Sequence, residues 1–181
     1  MHRINKDVRD ILFGIVVPTV VAFIIIGVGR NAALSGILSE AIVIVAVPML
    51  IGLIWNQWAG GAAGFLLGSM YALWYSDILY AAQGKNDFSV LGNLVSAMLI
   101  GYVAGALNKR STSYRRLLTA GVIAGIMGSL IIIAANFYSP IMGAPSVGAS
   151  LLTLLPRVLS GLIVPFVAKA FLAHGTNKQI H

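Results

Sequence analysis

The chain has 181 residues and a formal net charge of +7; 59% of the residues are hydrophobic and 9% are charged. A soluble domain carries about 25% charged residues, so this composition excludes a water-soluble enzyme, a disordered tail and a nucleic-acid-binding module, despite a pI near 10.1. The mean hydropathy of +0.92 and the absence of cysteine describe a polytopic membrane protein with no disulfide, thiolate metal site or iron–sulfur cluster.

A membrane helix needs roughly 20 apolar residues, and about 17 suffice. Six segments meet that length in chain order. Residues 11–28 are uncharged and contain Gly14, Pro18 and Gly27. Residues 37–55 follow, with Glu40 in the first turn. The third span, 59–79, is entered through the tight Asn56-Gln57-Trp58 turn, and the fourth covers 90–107. The fifth covers 117–135, and the sixth, 147–172, carries Pro156, Arg157 and Pro165. Pro140, Gly143 and Pro145 mark the loop before it. The expected fold is all-α: a six-transmembrane-helix bundle in a single membrane domain over residues 1–181. The first apolar run exceeds the 7–15 residues of a usual signal-peptide core, so it is expected to stay as a membrane anchor.

Orientation follows from Lys and Arg in the short loops. With the N-terminus inside, the inner segments hold Arg3, Lys6, Arg9, Lys109, Arg110, Arg115, Arg116, Lys169 and Lys178, and the outer loops hold Arg30 and Lys85. That bias predicts a multi-pass protein of the cell membrane with both termini cytoplasmic.

Small residues recur at every fourth position: Gly60, Gly64 and Gly68; Ala97, Gly101 and Gly105; Ala120, Ala124 and Gly128. Such ridges let helix backbones approach closely where apolar burial no longer drives association, and internal packing is the simplest use for them. The looser ridge Gly14, Pro18 and Ala22 on the first span fits either internal packing or docking of another membrane subunit. A faint echo between the Gly-rich third and fifth spans does not by itself establish a duplication.

Intramembrane charge is costly, about 2.5–3.5 kcal/mol on insertion scales. Arg157, about ten residues into the sixth span, is therefore the strongest functional candidate. Lys169 lies near enough to the inner face to snorkel. In the derived topology Glu40, Trp74, Tyr75, Asp77, Asn93, Asn136 and Tyr138 all fall toward the outer side, with Tyr71 and Tyr80 near them, and Arg157 enters from that side. Each aromatic alone fits an interfacial belt, and Arg157 alone fits a structural ion pair with Glu40 or Asp77. Together they suit an outward-facing pocket for a small polar or aromatic molecule. The inner half has no matching polar track, which argues against a through-going pore.

Catalysis is not expected. The three histidines, His2, His174 and His181, lie in the tails, and the five acids, Asp7, Asp10, Glu40, Asp77 and Asp87, are scattered. Neither a serine–histidine pair inside the membrane nor a metal-binding acid cluster is available, and no Walker A motif is present. No cofactor or metal is called for.

The passage Val47-Pro48-Met49-Leu50-Ile51-Gly52-Leu53-Ile54, followed by Trp58-Ala59-Gly60-Gly61-Ala62-Ala63-Gly64-Phe65-Leu66-Leu67-Gly68, resembles the second-to-third-helix region of the S-components of energy-coupling factor (ECF) transporters. Gly101-Tyr102-Val103-Ala104-Gly105 and Leu154-Leu155-Pro156-Arg157-Val158-Leu159-Ser160-Gly161-Leu162 are similar to the later helices of that family. The resemblance implies a substrate-capture subunit that binds a vitamin-like molecule in an outward-facing pocket, then associates with a coupling subunit and two ATPases. It would assign Arg157 to an anionic substrate group and Trp74, Tyr75 and Tyr138 to ring stacking. Members of the family often carry an alanine pair four apart on the first helix for docking; the equivalent face here reads Gly14, Pro18 and Ala22. The other readings of the sequence are a non-catalytic accessory subunit of a larger membrane complex and a small stand-alone channel or carrier. Membrane lipid is a partner under all of them, and nucleic acid under none.

Overall fold

A computed structural model describes residues 41–84, 87, 89–139 and 146–176, together with Val16 and Val20. Within the expected first span, only Val16 and Val20 are described; both are helical and exposed. Glu40, Gly14, Pro18 and Ala22 lie outside the described residues.

The second expected span begins, within the described residues, as a π-helical turn, Ala41–Ala46, that tightens into α1, Val47–Ile54. Pro48 accounts for the change. It has no N–H for the preceding turn and its ring crowds that turn, and a π turn is where such a mismatch is absorbed. Within the described residues this helical run, Ala41–Ala46 and Val47–Ile54, is deeply buried: Ile44, Val45, Pro48, Met49, Ile51, Gly52 and Leu53 are all enclosed.

Four longer helices surround it: α2, Gln57–Gln83; α3, Ser89–Asn108; α4, Tyr114–Phe137; and α5, Val147–Thr176. Each packs against the next in chain order, and α1 packs against α2, α3 and α5. The core joins Ile44, Val45, Met49 and Leu53 to Tyr71 of α2, Ala97, Ile100 and Ala104 of α3, Leu117, Ala120 and Ala124 of α4, and Val164 and Ala168 of α5.

The glycine ridges set these contacts. Gly60 and Gly101 pack backbone to backbone, and a Cβ on either would collide with the other's carbonyl. Gly64 meets Ala97, and a Cβ on Gly68 would stand 2.8 Å from the Cα of Leu94, so α2 and α3 run antiparallel along the whole ridge. Gly52 of α1 closes on Gly101 from a third side. Between α4 and α5 the close approach uses Gly121 and Gly125: a Cβ on Gly121 would lie 2.7 Å from the Gly161 carbonyl oxygen. The Ala120–Ala124–Gly128 row lies beside it and is buried, with Gly128 against Ile100 and Ser96 of α3.

Among the described residues, three helices are long and apolar enough to cross a membrane: Ser89–Asn108, Tyr114–Phe137 and Ser150–Ala173. The third expected span lies within α2, whose 27 residues are long enough to cross but whose glycines, serines, tyrosines and tryptophans keep it less apolar than those three.

Candidate functional site

The two ends of the bundle differ in chemistry. One end collects the turn between α1 and α2, the loop between α3 and α4, and the last turns of α5. Here side chains satisfy helix-end carbonyls: Asn108 Nδ2 donates to the Leu53 carbonyl at 2.8 Å, Arg110 Nε to Trp55 at 2.9 Å, and Arg116 Nε to Leu107 at 3.0 Å. Asn56 caps the start of α2 by accepting from the Ala59 N–H at 2.8 Å. Cations beside carbonyl-rich helix ends also complement the helix dipole.

At the opposite end, Asp87 is buried between α3 and α4. Its Oδ1 accepts from the Ser89 N–H at 3.0 Å, and its Oδ2 accepts from the Ser139 hydroxyl. One carboxylate thus caps α3 and ties it to the residue following the C-cap of α4. Asn93 and Asn136, one turn away on each helix, are half-buried. In the sequence Asp87 is only one of five scattered acids. Its signal was the Asp87-Phe88-Ser89 step directly before an apolar run, an acceptor side chain placed to cap a helix start.

Arg157 lies between these ends. It is 1% exposed, the largest fully buried side chain described. Its Nη1 donates to the Thr153 carbonyl at 2.9 Å, one turn back toward the start of α5. Helical side chains lean in that direction. Depth is set by the backbone: a Cβ on Gly125 would stand 2.6 Å from the Arg157 carbonyl oxygen, so Arg157 is level with the middle of α4. Phe137 is twelve residues further along α4, roughly 18 Å by helical rise. Arg157 therefore belongs to a deeper layer than Asn136 and Tyr138, and a ligand touching both layers must enter the bundle end-on.

Of the expected aromatic residues, Trp74 and Tyr138 are exposed. Trp74 is 43% exposed and meets Tyr71 edge-on at 5.5 Å, while Tyr71 itself is buried in the core. Tyr138 is 77% exposed and rests on Phe137. Tyr75 and Asp77 lie on α2, their side chains outside the description. Among the described residues, no group of three or more His, Cys, Asp or Glu side chains is placed to hold a metal.

These apolar helices around a buried arginine define a helical, multi-pass membrane protein. Compared with known proteins, the chain matches no family, no curated protein and no solved structure.

Proposed function

We propose that this protein is a non-catalytic substrate-capture subunit of an importer of the energy-coupling factor type, taking an anionic, vitamin-like molecule from the end that carries Asp87, Asn93, Asn136 and Tyr138. The observation that carries this reading is the burial of Arg157. A guanidinium enclosed at mid-depth is expensive, and its planar fork of donors suits a carboxylate or phosphate. On this reading the group would enter through the polar layer above Arg157, and the exposed Trp74 and Tyr138 would meet a ring. Transport would then require a coupling subunit and ATPases.

The test is ligand titration of the purified chain, followed by Trp74 fluorescence, against vitamins and precursors bearing carboxylate or phosphate. Saturable, tight binding is expected, weakened at least about tenfold by Arg157→Ala, a loss equivalent to one charge-assisted hydrogen bond. Binding unchanged in Arg157→Ala would remove Arg157 from the site, and no binding across the panel would sink the capture reading. The alternative, an accessory subunit, would need the Gly14, Pro18 and Ala22 face for docking, because the ridges of α2 and α3 are occupied by one another.

A further inference from the structure

The end of the bundle opposite the polar layer is strongly and one-sidedly basic. Lys109, Arg110, Arg115, Arg116 and Lys169 are all exposed there. No Asp or Glu follows Asp87 in the sequence, so α4, α5 and the loop between α3 and α4 contribute cations alone to this face.

Part of this array is held in place. Lys109 and Arg110 adopt left-handed backbone conformations, φ 48° and 59°, which non-glycine residues seldom take. The Lys109 N–H bonds the Gly105 carbonyl at 3.0 Å, and Arg110 and Arg116 are anchored through Nε to carbonyls of Trp55 and Leu107. Lys169 stands over the Tyr114 ring at 5.5 Å from its centroid. Beside this array, Trp58 is 58% exposed and meets Tyr102 edge-on at 5.6 Å. Exposed amphipathic rings at the end of a spanning bundle sit at headgroup depth.

We propose that this basic, aromatic-flanked face binds the phosphate headgroups of acidic phospholipids, with Lys109, Arg115 and Lys169 as the contacting cations and Arg110 and Arg116 fixing the loop that presents them. The proposal stands apart from substrate capture, which concerns the other end. Each basic residue near an anionic membrane surface raises association roughly fivefold, so the face should select acidic lipid over zwitterionic lipid.

The experiment uses the full chain in phosphatidylcholine nanodiscs containing phosphatidylglycerol as the minority lipid, with retained lipids identified by native mass spectrometry. Phosphatidylglycerol should be enriched over its bulk share at least about threefold, and the combined variant Lys109→Gln, Arg115→Gln, Lys169→Gln should abolish the enrichment. Excess soluble glycerol 3-phosphate should leave it unchanged. Retention in proportion to the bulk mixture, or enrichment that survives the triple variant, overturns the proposal. Displacement by glycerol 3-phosphate also overturns it, since the face would then serve a free phosphate metabolite. If the triple variant fails to assemble, Lys169→Gln alone is read in the same way, with at least about a twofold loss expected.

Discussion

Asp87 shows how much can rest on one side chain in this protein. Its carboxylate accepts from the first N–H of α3 and from the Ser139 hydroxyl beyond α4, and it is buried while doing so. Asp87→Ala would leave both donors without this acceptor, and a hydrogen bond to a charged group contributes about 1.5–3 kcal/mol. Thermal unfolding in detergent should register a loss of roughly 2–4 kcal/mol. Asp87→Asn should lose less, because the amide oxygen can still accept from Ser89. A midpoint unchanged in Asp87→Ala would mean that the ends of α3 and α4 are held together by helix packing alone. The residue was visible in the sequence as an acid, but its role was not. That role depends on Ser139, which is 52 positions away, and no local pattern announces such a pair. Arg157 is the opposite case: a lone cation within an apolar run is conspicuous in the sequence, and the structure buries it.

At the scale of helices, the small-residue ridges were legible because a missing side chain has one dominant use in lipid, the close approach of backbones. Gly60, Gly64 and Gly68 meet the Ala97–Gly101–Gly105 side of α3 as that pattern implies. The α4–α5 contact was less legible. Ala120, Ala124 and Gly128 form one row and Gly121 and Gly125 the next, so the spacing alone does not say which row faces which neighbour; Gly121 and Gly125 face α5. Nor does hydropathy reveal that α1 is an enclosed helix, since apolar residues look the same facing lipid and facing protein. The packing yields a graded prediction. Gly101→Ala would drive a methyl group into the Gly60 carbonyl, backbone against backbone, and should cost about 1–3 kcal/mol or more. Gly148→Ala, at the start of α5, meets nothing within 4 Å and should be neutral or stabilising by up to about 1 kcal/mol through helix propensity. Gly84→Ala should cost about 1 kcal/mol for a different reason, the left-handed φ of 67° at the C-cap of α2. Unfolding midpoints of the three variants in one detergent test the order, and equal midpoints for Gly101→Ala and Gly148→Ala would contradict the tight α2–α3 crossing.

For the whole molecule, the opposed chemistry of the two ends matters most, because on the proposed reading it would tie orientation to function. The basic end holds Lys109, Arg110, Arg115, Arg116 and Lys169, and under the positive-inside rule it would face the cytoplasm. The polar layer of Asp87, Asn93 and Asn136 would then face outward, where an importer must receive its substrate. The chain contains no cysteine, so single cysteines can report sidedness without background. Thr112, exposed in the loop between α3 and α4, and Ser146, exposed just before α5, mark the two ends. With a membrane-impermeant maleimide, Ser146→Cys should label in intact cells, and Thr112→Cys should label only after the membrane is opened. The reverse pattern would turn the polar layer toward the cytoplasm. It would remove uptake as the function even if Arg157 still bound an anion, because a capture subunit whose polar layer faces inward would have no access to what it is meant to import.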